Sequence, residues 1–361
     1  MKDKVSSKKI LVVCPYPVNS MAGQRLKYEQ FIKYWEEENY IVDISPFMSW
    51  KLLSVAHKKG HLYTKITGTI RGLIKRVFEI PKLKQYDIIY LFMYVNPVGG
   101  PYLEKIYRKL SKKLVYDLED NGFMKPNKEI SQKLRSLEKT QFLVKTADHV
   151  ITSSPALNDA CVAINHFKKS TYISSSIDAE RFTQVNQFTN DKKVVVGWTG
   201  TVTTQNFLDL LRPIFIELKK IRDFKLIVIG NFEYSFPEMD LEMIQWNADT
   251  EVRDLQKIDI GVYPLEINDW VLGKSGLKAI QYMTIGIPCV ATDVSTVQQF
   301  IQHGETGFLV KTQKEWVNTL VTLIDNPELR RSIGTAARKT ITSRFSKEVI
   351  KHQYLDILNS L

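Results

Sequence analysis

Lys274, Lys278 and Gln281 place two ammonium groups and an amide in one short stretch, Ile260–Thr292, and their spacing decides what they can do. At about 100° per residue they fall within roughly 60° of one another on a helix, while Leu277, Ile280 and Met283 take the other face. The pattern predicts a short buried strand from Ile260, a polar loop, a helix from about Ser275 to Thr284, and a strand at Pro288–Ala291. Gly276 near the helix start and Gly286 beyond its end fit the usual punctuation. A helix N-terminus with unpaired N–H groups and lysines beside it is a ready site for a diphosphate. A solvated face on an ordinary amphipathic helix has the same pattern, and the helix alone leaves both readings open. A second group, Asp117-Leu118-Glu119-Asp120, offers three carboxylates directly after a strand.

The elements that must position these groups form two similar series. Residues 9–14 form an apolar run that reads as a buried first strand. A helix follows from Gly23 through Arg25 to about Glu38, its apolar face supplied by Tyr28, Phe31, Ile32 and Trp35. Further strands are expected at Tyr40–Ser45, Ile88–Phe92, Lys113–Tyr116 and His149–Thr152. A polar stretch, Thr183–Lys192, reads as a linker, after which the series restarts with strands at Val194–Gly197, Leu226–Gly230, Asp259–Tyr263 and Pro288–Ala291. Helix is expected over Trp316–Ser343 and again over Lys347–Leu361. Strands alternating with helices argue for parallel, doubly wound sheets. The domains read as 1–185 and 193–345, with residues 346–361 packing back on the first. In open α/β sheets, ligands sit beyond the carboxyl ends of the strands.

At 361 residues the chain is long enough for two cores. No apolar run reaches the roughly 18 residues of a membrane span, and the polar N-terminus leads into a strand rather than resembling a signal peptide. Cys14, Cys161 and Cys289 share no spacing, which suggests buried free thiols in a reducing compartment, and no paired Cys/His spacing points to zinc. The net charge of +11 is concentrated: between Lys51 and Gln85 stand Lys51, Lys58, Lys59, Lys65, Arg71, Lys75, Arg76, Lys82 and Lys84, with Glu79 as the only acid. Such a segment implies an anionic partner. From Ile66 to Phe78 the apolar residues Ile66, Ile70, Leu73, Ile74, Val77 and Phe78 cover one arc of a helix, with Lys65, Arg71, Lys75 and Arg76 around the other. This pattern fits an interfacial helix on anionic lipid; a helix packing its apolar arc on the core would show it too. The chain shows no recognised nucleic-acid-binding motif, so nucleic acid is not the expected partner.

Several pieces taken together resemble the family-4 glycosyltransferases. They are Val196-Gly-Trp-Thr-Gly200, Asp259-Ile-Gly-Val-Tyr-Pro-Leu265, Gly273-Lys-Ser-Gly-Leu-Lys-Ala-Ile-Gln-Tyr-Met283, Gly286-Ile-Pro288, His303-Gly-Glu-Thr-Gly-Phe-Leu-Val310 and Glu315-Trp316. Tyr116–Asp120, Ala147–Ile151 and Ser176-Ile-Asp178 with Arg181-Phe182 add to it from the first half. The resemblance implies a GT-B fold: two Rossmann-like, doubly wound α/β domains facing one another across a cleft. It implies a retaining, metal-independent transfer of a sugar from a nucleotide diphosphate sugar to a lipid-linked or envelope glycan acceptor. Such an enzyme would sit peripherally at the cytoplasmic face of a membrane. A sugar-nucleotide epimerase and a catalytically inactive partner subunit of the same fold are the alternatives.

By position, the resemblance implies that Gly276 and Leu277 offer N–H groups to the diphosphate, with Gly200 and Thr201 near the same phosphates. Many members carry two glutamates, eight apart, at the donor site; here those positions fall on Gly273 and Gln281. Gln281 would meet the ribose with an amide that brings no charge. Lys274, Ser275 and Lys278 complete the donor helix, the two lysines replacing a basic pair that Trp198–Gln205 lacks. Trp246 lines the base pocket or else the core. Gly23 would lie near the transferring sugar and Arg25 near an anionic substrate group. Asp117, Glu119 and Asp120 would face the acceptor, Glu119 or Asp120 orienting its hydroxyl. The same three acids would hold a divalent cation in a single-nucleotide-domain enzyme, or simply cap the next turn.

Overall fold

Alternate residues of the first strand enter different cores, which is why its sequence reads as one unbroken apolar run. The computed structural model describes residues 7–56, 58–119, 137–184, 193–294 and 296–361. The chain divides into two units: Met1–Ser174, Leu272–Ser275 and Ile350–Leu361 make the first, Ser175–Val271 and Gly276–Val349 the second. Asp120 and positions 185–192 of the expected linker lie outside the described residues.

In unit 1, strands β1 (Lys8–Cys14), β2 (Tyr40–Pro46), β3 (Ile88–Phe92), β4 (Lys113–Leu118), β5 (His149–Thr152) and β6 (Ser170–Tyr172) form one parallel sheet. Its order is β2-β1-β3-β4-β5-β6. Ile10, Val12 and Cys14 join Tyr28, Trp35, Tyr90 and Val115 on one face; Leu11 and Val13 join Leu91, Leu114 and Tyr116 on the other. The helices are α1 (Ala22–Arg25), α2 (Ile32–Glu37), α3 (Trp50–Ala56), α4 (Leu62–Glu79), α5 (Tyr102–Leu110), α6 (Leu137–Thr146) and α7 (Pro155–Ile164). The helix expected from Gly23 to Glu38 is thus interrupted, with a 3-10 turn at Glu29–Phe31 between α1 and α2.

Unit 2 repeats the design with β7 (Val195–Gly200), β8 (Lys225–Gly230), β9 (Leu241–Gln245), β10 (Ile260–Tyr263), β11 (Cys289–Thr292) and β12 (Phe308–Val310). The order is β12-β11-β10-β7-β8-β9. Its helices are α8 (Gln205–Asp209), α9 (Arg212–Ile221), α10 (Glu251–Leu255), α11 (Leu277–Thr284), α12 (Gln313–Asp325) and α13 (Pro327–Arg344). The single helical region expected over Trp316–Ser343 breaks at Asn326-Pro327, where the Asn326 side chain accepts from Leu329 N–H and starts α13 afresh. The final helix, α14 (Lys347–Asn359), puts Ile350, Tyr354, Leu355, Ile357 and Leu358 into the unit 1 core that holds Trp35 and Tyr90.

Two expectations for unit 1 are corrected here. Arg76 is no surface cation. It is fully buried, donating to the carbonyls of Val95 (2.7 Å), Cys14 (3.0 Å) and Ser45 (3.0 Å) and pairing with Glu79 (3.0 Å). The Cys14 carbonyl also accepts from Phe47 N–H, and the guanidinium gathers it with the other two acceptors inside the unit, so its charge is spent on the fold. Asp117, expected to face the acceptor, is not an open carboxylate. It is buried under the sheet end, ion-paired with the buried Lys27 and accepting from the Tyr90 hydroxyl. Burial first, and then the Asp117 charge, push the Tyr90 phenol well above its ordinary pKa, which keeps its proton on that hydrogen bond.

Candidate functional site

The sheet of unit 2 reverses direction of growth at β7, with β8 on one side and β10 on the other, and ligands favour the strand ends at such a switch point. The chain leaving β7 carries Gly200 and then Thr201, whose side chain and that of Thr204 cap each other's backbone N–H in a 3-10 turn. The chain leaving β10 leads to α11, which begins at Leu277 rather than Ser275. Its N-cap is Gly276 in the left-handed region (φ 71°), a residue with no side chain to satisfy the first-turn N–H groups. A Cβ there would lie 2.4 Å from the Phe300 ring.

Lys278, in the first turn of α11, holds its ammonium 5.3 Å from the Trp198 ring centroid and 5.5 Å from that of Tyr263. Tyr282, one turn later, accepts from Thr199 N–H at 2.9 Å and fastens α11 to the end of β7. A helix N-terminus and an ammonium therefore meet at the switch point, an arrangement suited to an anion. Lys274 and Ser275, half-buried, group with unit 1, where Gly273 carbonyl accepts from Ser153 Oγ at 3.0 Å.

Gln281 departs from the solvated face expected for it. It is buried, and its amide donates to Glu251 Oε1 at 3.1 Å. Trp246 Nε1 reaches the same oxygen at 3.4 Å, and Arg181 donates to Glu251 Oε2 at 3.2 Å. The expected loss of charge at position 281 is thus offset by a buried carboxylate from α10 that sequence reasoning missed. No motif marks Glu251; the only signal was an acid opening a helix shortly after Trp246.

In unit 1, Gly23 and Arg25 lie on α1 after β1, and Glu119 follows β4. A Cβ on Gly23 would come 2.4 Å from Glu119 Oε2, so the missing side chain is what admits that carboxylate. Glu119 and Gly23 are brought together; Asp117 points away to Lys27. On α4, Lys65 is half-buried and donates to the Lys58 carbonyl at 2.5 Å, while Arg71 and Lys75 are exposed.

Residues 179–340 match the family model described as glycosyl transferases group 1. A trehalose synthase of Pyrococcus horikoshii is 30% identical over 158 residues, 40% of this chain and 38% of that protein. The capsular polysaccharide biosynthesis glycosyltransferase CapM of Staphylococcus aureus is 24% identical over 207 residues, 52% of this chain and 53% of CapM. The chain therefore spans about half or less of the length of these curated relatives. The crystal structure of Anabaena HepE in complex with UDP and glucose aligns over 98% of this chain and 100% of that one, with TM-score 0.67 at 16% identity. The fold is GT-B, two parallel-sheet α/β domains of six strands each.

Proposed function

We propose that this chain, which carries a glycosyl transferases group 1 domain at residues 179–340, is a retaining glycosyltransferase that takes its sugar from a nucleotide diphosphate. The observation that carries the proposal is the junction of β7, β10 and α11, where a glycine-capped helix N-terminus and the Lys278 ammonium meet. The diphosphate accepts from the N–H groups of Gly276 and Leu277 and faces Lys278, with Lys274 as a second cation. Preorganised donors of this kind stabilise the charge that develops on a leaving diphosphate, and no metal is required for it. Gly200 and Thr201 approach the same phosphates. Gln281, backed by Glu251, reads the ribose, while Trp246 packs beside them. In unit 1, Glu119 beside Gly23 orients the acceptor hydroxyl, with Arg25 near an anionic substrate group.

Complexes of HepE with UDP support a uridine nucleotide as the first donor to test. CapM, named for capsular polysaccharide biosynthesis, supports an envelope or lipid-linked glycan as acceptor, reached at the inner face of a membrane. The test is a thermal-shift screen of UDP-, GDP- and other nucleotide sugars. A donor at 100 times its Kd should stabilise the protein by about 2.7 kcal/mol. Lys278→Ala should weaken that binding roughly 10- to 100-fold, the loss of one charge-assisted contact. Gln281→Leu should raise the donor KM with kcat little changed, because a ribose contact is uniform binding. Lys278→Ala binding as tightly as wild type would remove this lysine from the donor site.

A further inference from the structure

Helix α4 is built inside out. At about 100° per residue, Leu62, Ile66, Leu73, Val77, Ile70, Tyr63, Ile74 and Phe78 share one arc, and its centre lies roughly 180° from that of the stripe formed by Gly68, Gly72 and Arg76. Ordinarily the apolar arc would face the core. Here the small stripe does. A Cβ on Gly72 would lie 2.6 Å from the Phe47 ring, one on Gly68 would lie 3.0 Å from Leu52 of α3, and Arg76 pins the stripe to strand-end carbonyls. The apolar arc is left in solvent, with Leu62 68%, Tyr63 81% and Phe78 73% exposed, and Ile66, Ile70, Ile74 and Val77 about half exposed. Trp50, on the adjoining helix α3, is exposed as well.

An apolar surface this continuous is rare on a protein that keeps it in water. Its surroundings identify the occupant. Lys51, Lys58, Lys59, Arg71, Lys82 and Lys84 are all exposed, on α3, on α4 and on the segments just before and after α4, while Lys75 turns its ammonium to the Pro46 carbonyl at 2.8 Å. Arg71 borders the apolar arc directly. The acid nearest in sequence, Glu79, is turned to Arg76, Ser45 and Tyr107, with Lys75 at 4.0 Å. Apolar residues flanked by cations and exposed aromatics match a bilayer interface, where side chains enter the acyl boundary and ammonium groups meet anionic headgroups.

We propose that the α4 arc inserts into the surface of an anionic lipid bilayer and that the surrounding lysines and Arg71 hold it there. The interaction is apolar insertion assisted by charge, so it outlasts the salt screening that would dissolve a purely electrostatic contact. It deepens the reading of a lipid-linked acceptor and rests on it for its purpose. The surface is tested without donor or acceptor, so either reading can fail alone.

The experiment uses the full chain and phosphatidylcholine vesicles with or without phosphatidylglycerol. Cys14, Cys161 and Cys289 are all buried, so Ile70→Cys accepts an environment-sensitive fluorophore selectively. The label should shift to the blue on phosphatidylglycerol vesicles, and sedimentation should show at least about 10-fold stronger binding to them than to phosphatidylcholine alone. Ile70→Ser with Ile74→Ser, both at exposed positions, should cut that binding about 10-fold or more for each side chain withdrawn from the bilayer. Arg71→Glu with Lys82→Glu should cut it about 5-fold or more per charge. No binding, equal binding to both vesicle types, or binding indifferent to the isoleucine changes overturns the proposal. A dimer without lipid that Ile70→Ser with Ile74→Ser converts to monomer also overturns it, assigning the arc to a second copy.

Discussion

Gly276→Ala should cost unit 2 about 2–5 kcal/mol of stability and remove measurable donor binding. Two costs combine. An L-residue held in the left-handed region loses about 1–2 kcal/mol, and a side chain forced against the Phe300 ring costs about 1–3 kcal/mol more. The same change tilts the first turn of α11, whose N–H groups are the proposed phosphate donors. Chemical denaturation measures the first effect, and nucleotide titration at a temperature where the variant is folded measures the second. Phe300→Leu in the same chain should return part of the stability by making room, but not the share that belongs to the backbone. Wild-type stability and wild-type nucleotide affinity in Gly276→Ala would refute the role given to this glycine.

Asp117→Asn should destabilise the protein by about 3–5 kcal/mol, because it strands the Lys27 ammonium in a site with no solvent. Lys27→Met should cost a similar amount by stranding the carboxylate. Removing both charges, as Lys27→Met with Asp117→Leu, should recover most of the loss, since a buried pair is often replaceable by apolar groups of similar size. Equilibrium denaturation of the four proteins completes the cycle. Additive losses in the double variant would mean that the two residues act separately. If instead Asp117→Asn left stability intact and abolished turnover, Asp117 would belong to the acceptor side after all.

The sequence made the central strands legible because burial on both faces leaves an unmistakable apolar run. Ser170–Tyr172, Leu241–Gln245 and Phe308–Val310 were missed, and each is an edge strand. Their burial is largely partial, so their residues are mixed in character and read as loop. Periodicity finds the α11 helix as an element, but not its environment. Gln281 sits at the angle of a solvated residue, and only the fold brings Glu251 from thirty positions away to bury it. Asp117 has the same history: its partner Lys27 is ninety residues distant. For α4, periodicity separated the two arcs but could not say which one faces inward. That depended on Gly68 and Gly72 allowing close contact and on Arg76 finding three carbonyls, none of which leaves a periodic mark.

The most direct measurement of the central claim is turnover with a lipid acceptor fraction and each nucleotide sugar in turn, following nucleoside diphosphate release and sugar entry into the lipid phase. One donor should support release that depends on acceptor, should leave the transferred sugar with the anomeric configuration it had in the donor, and should continue in EDTA. Release or isomerisation of the donor without acceptor would contradict sugar transfer and point to an epimerase. Absence of turnover with every donor would point to a partner subunit that no longer catalyses.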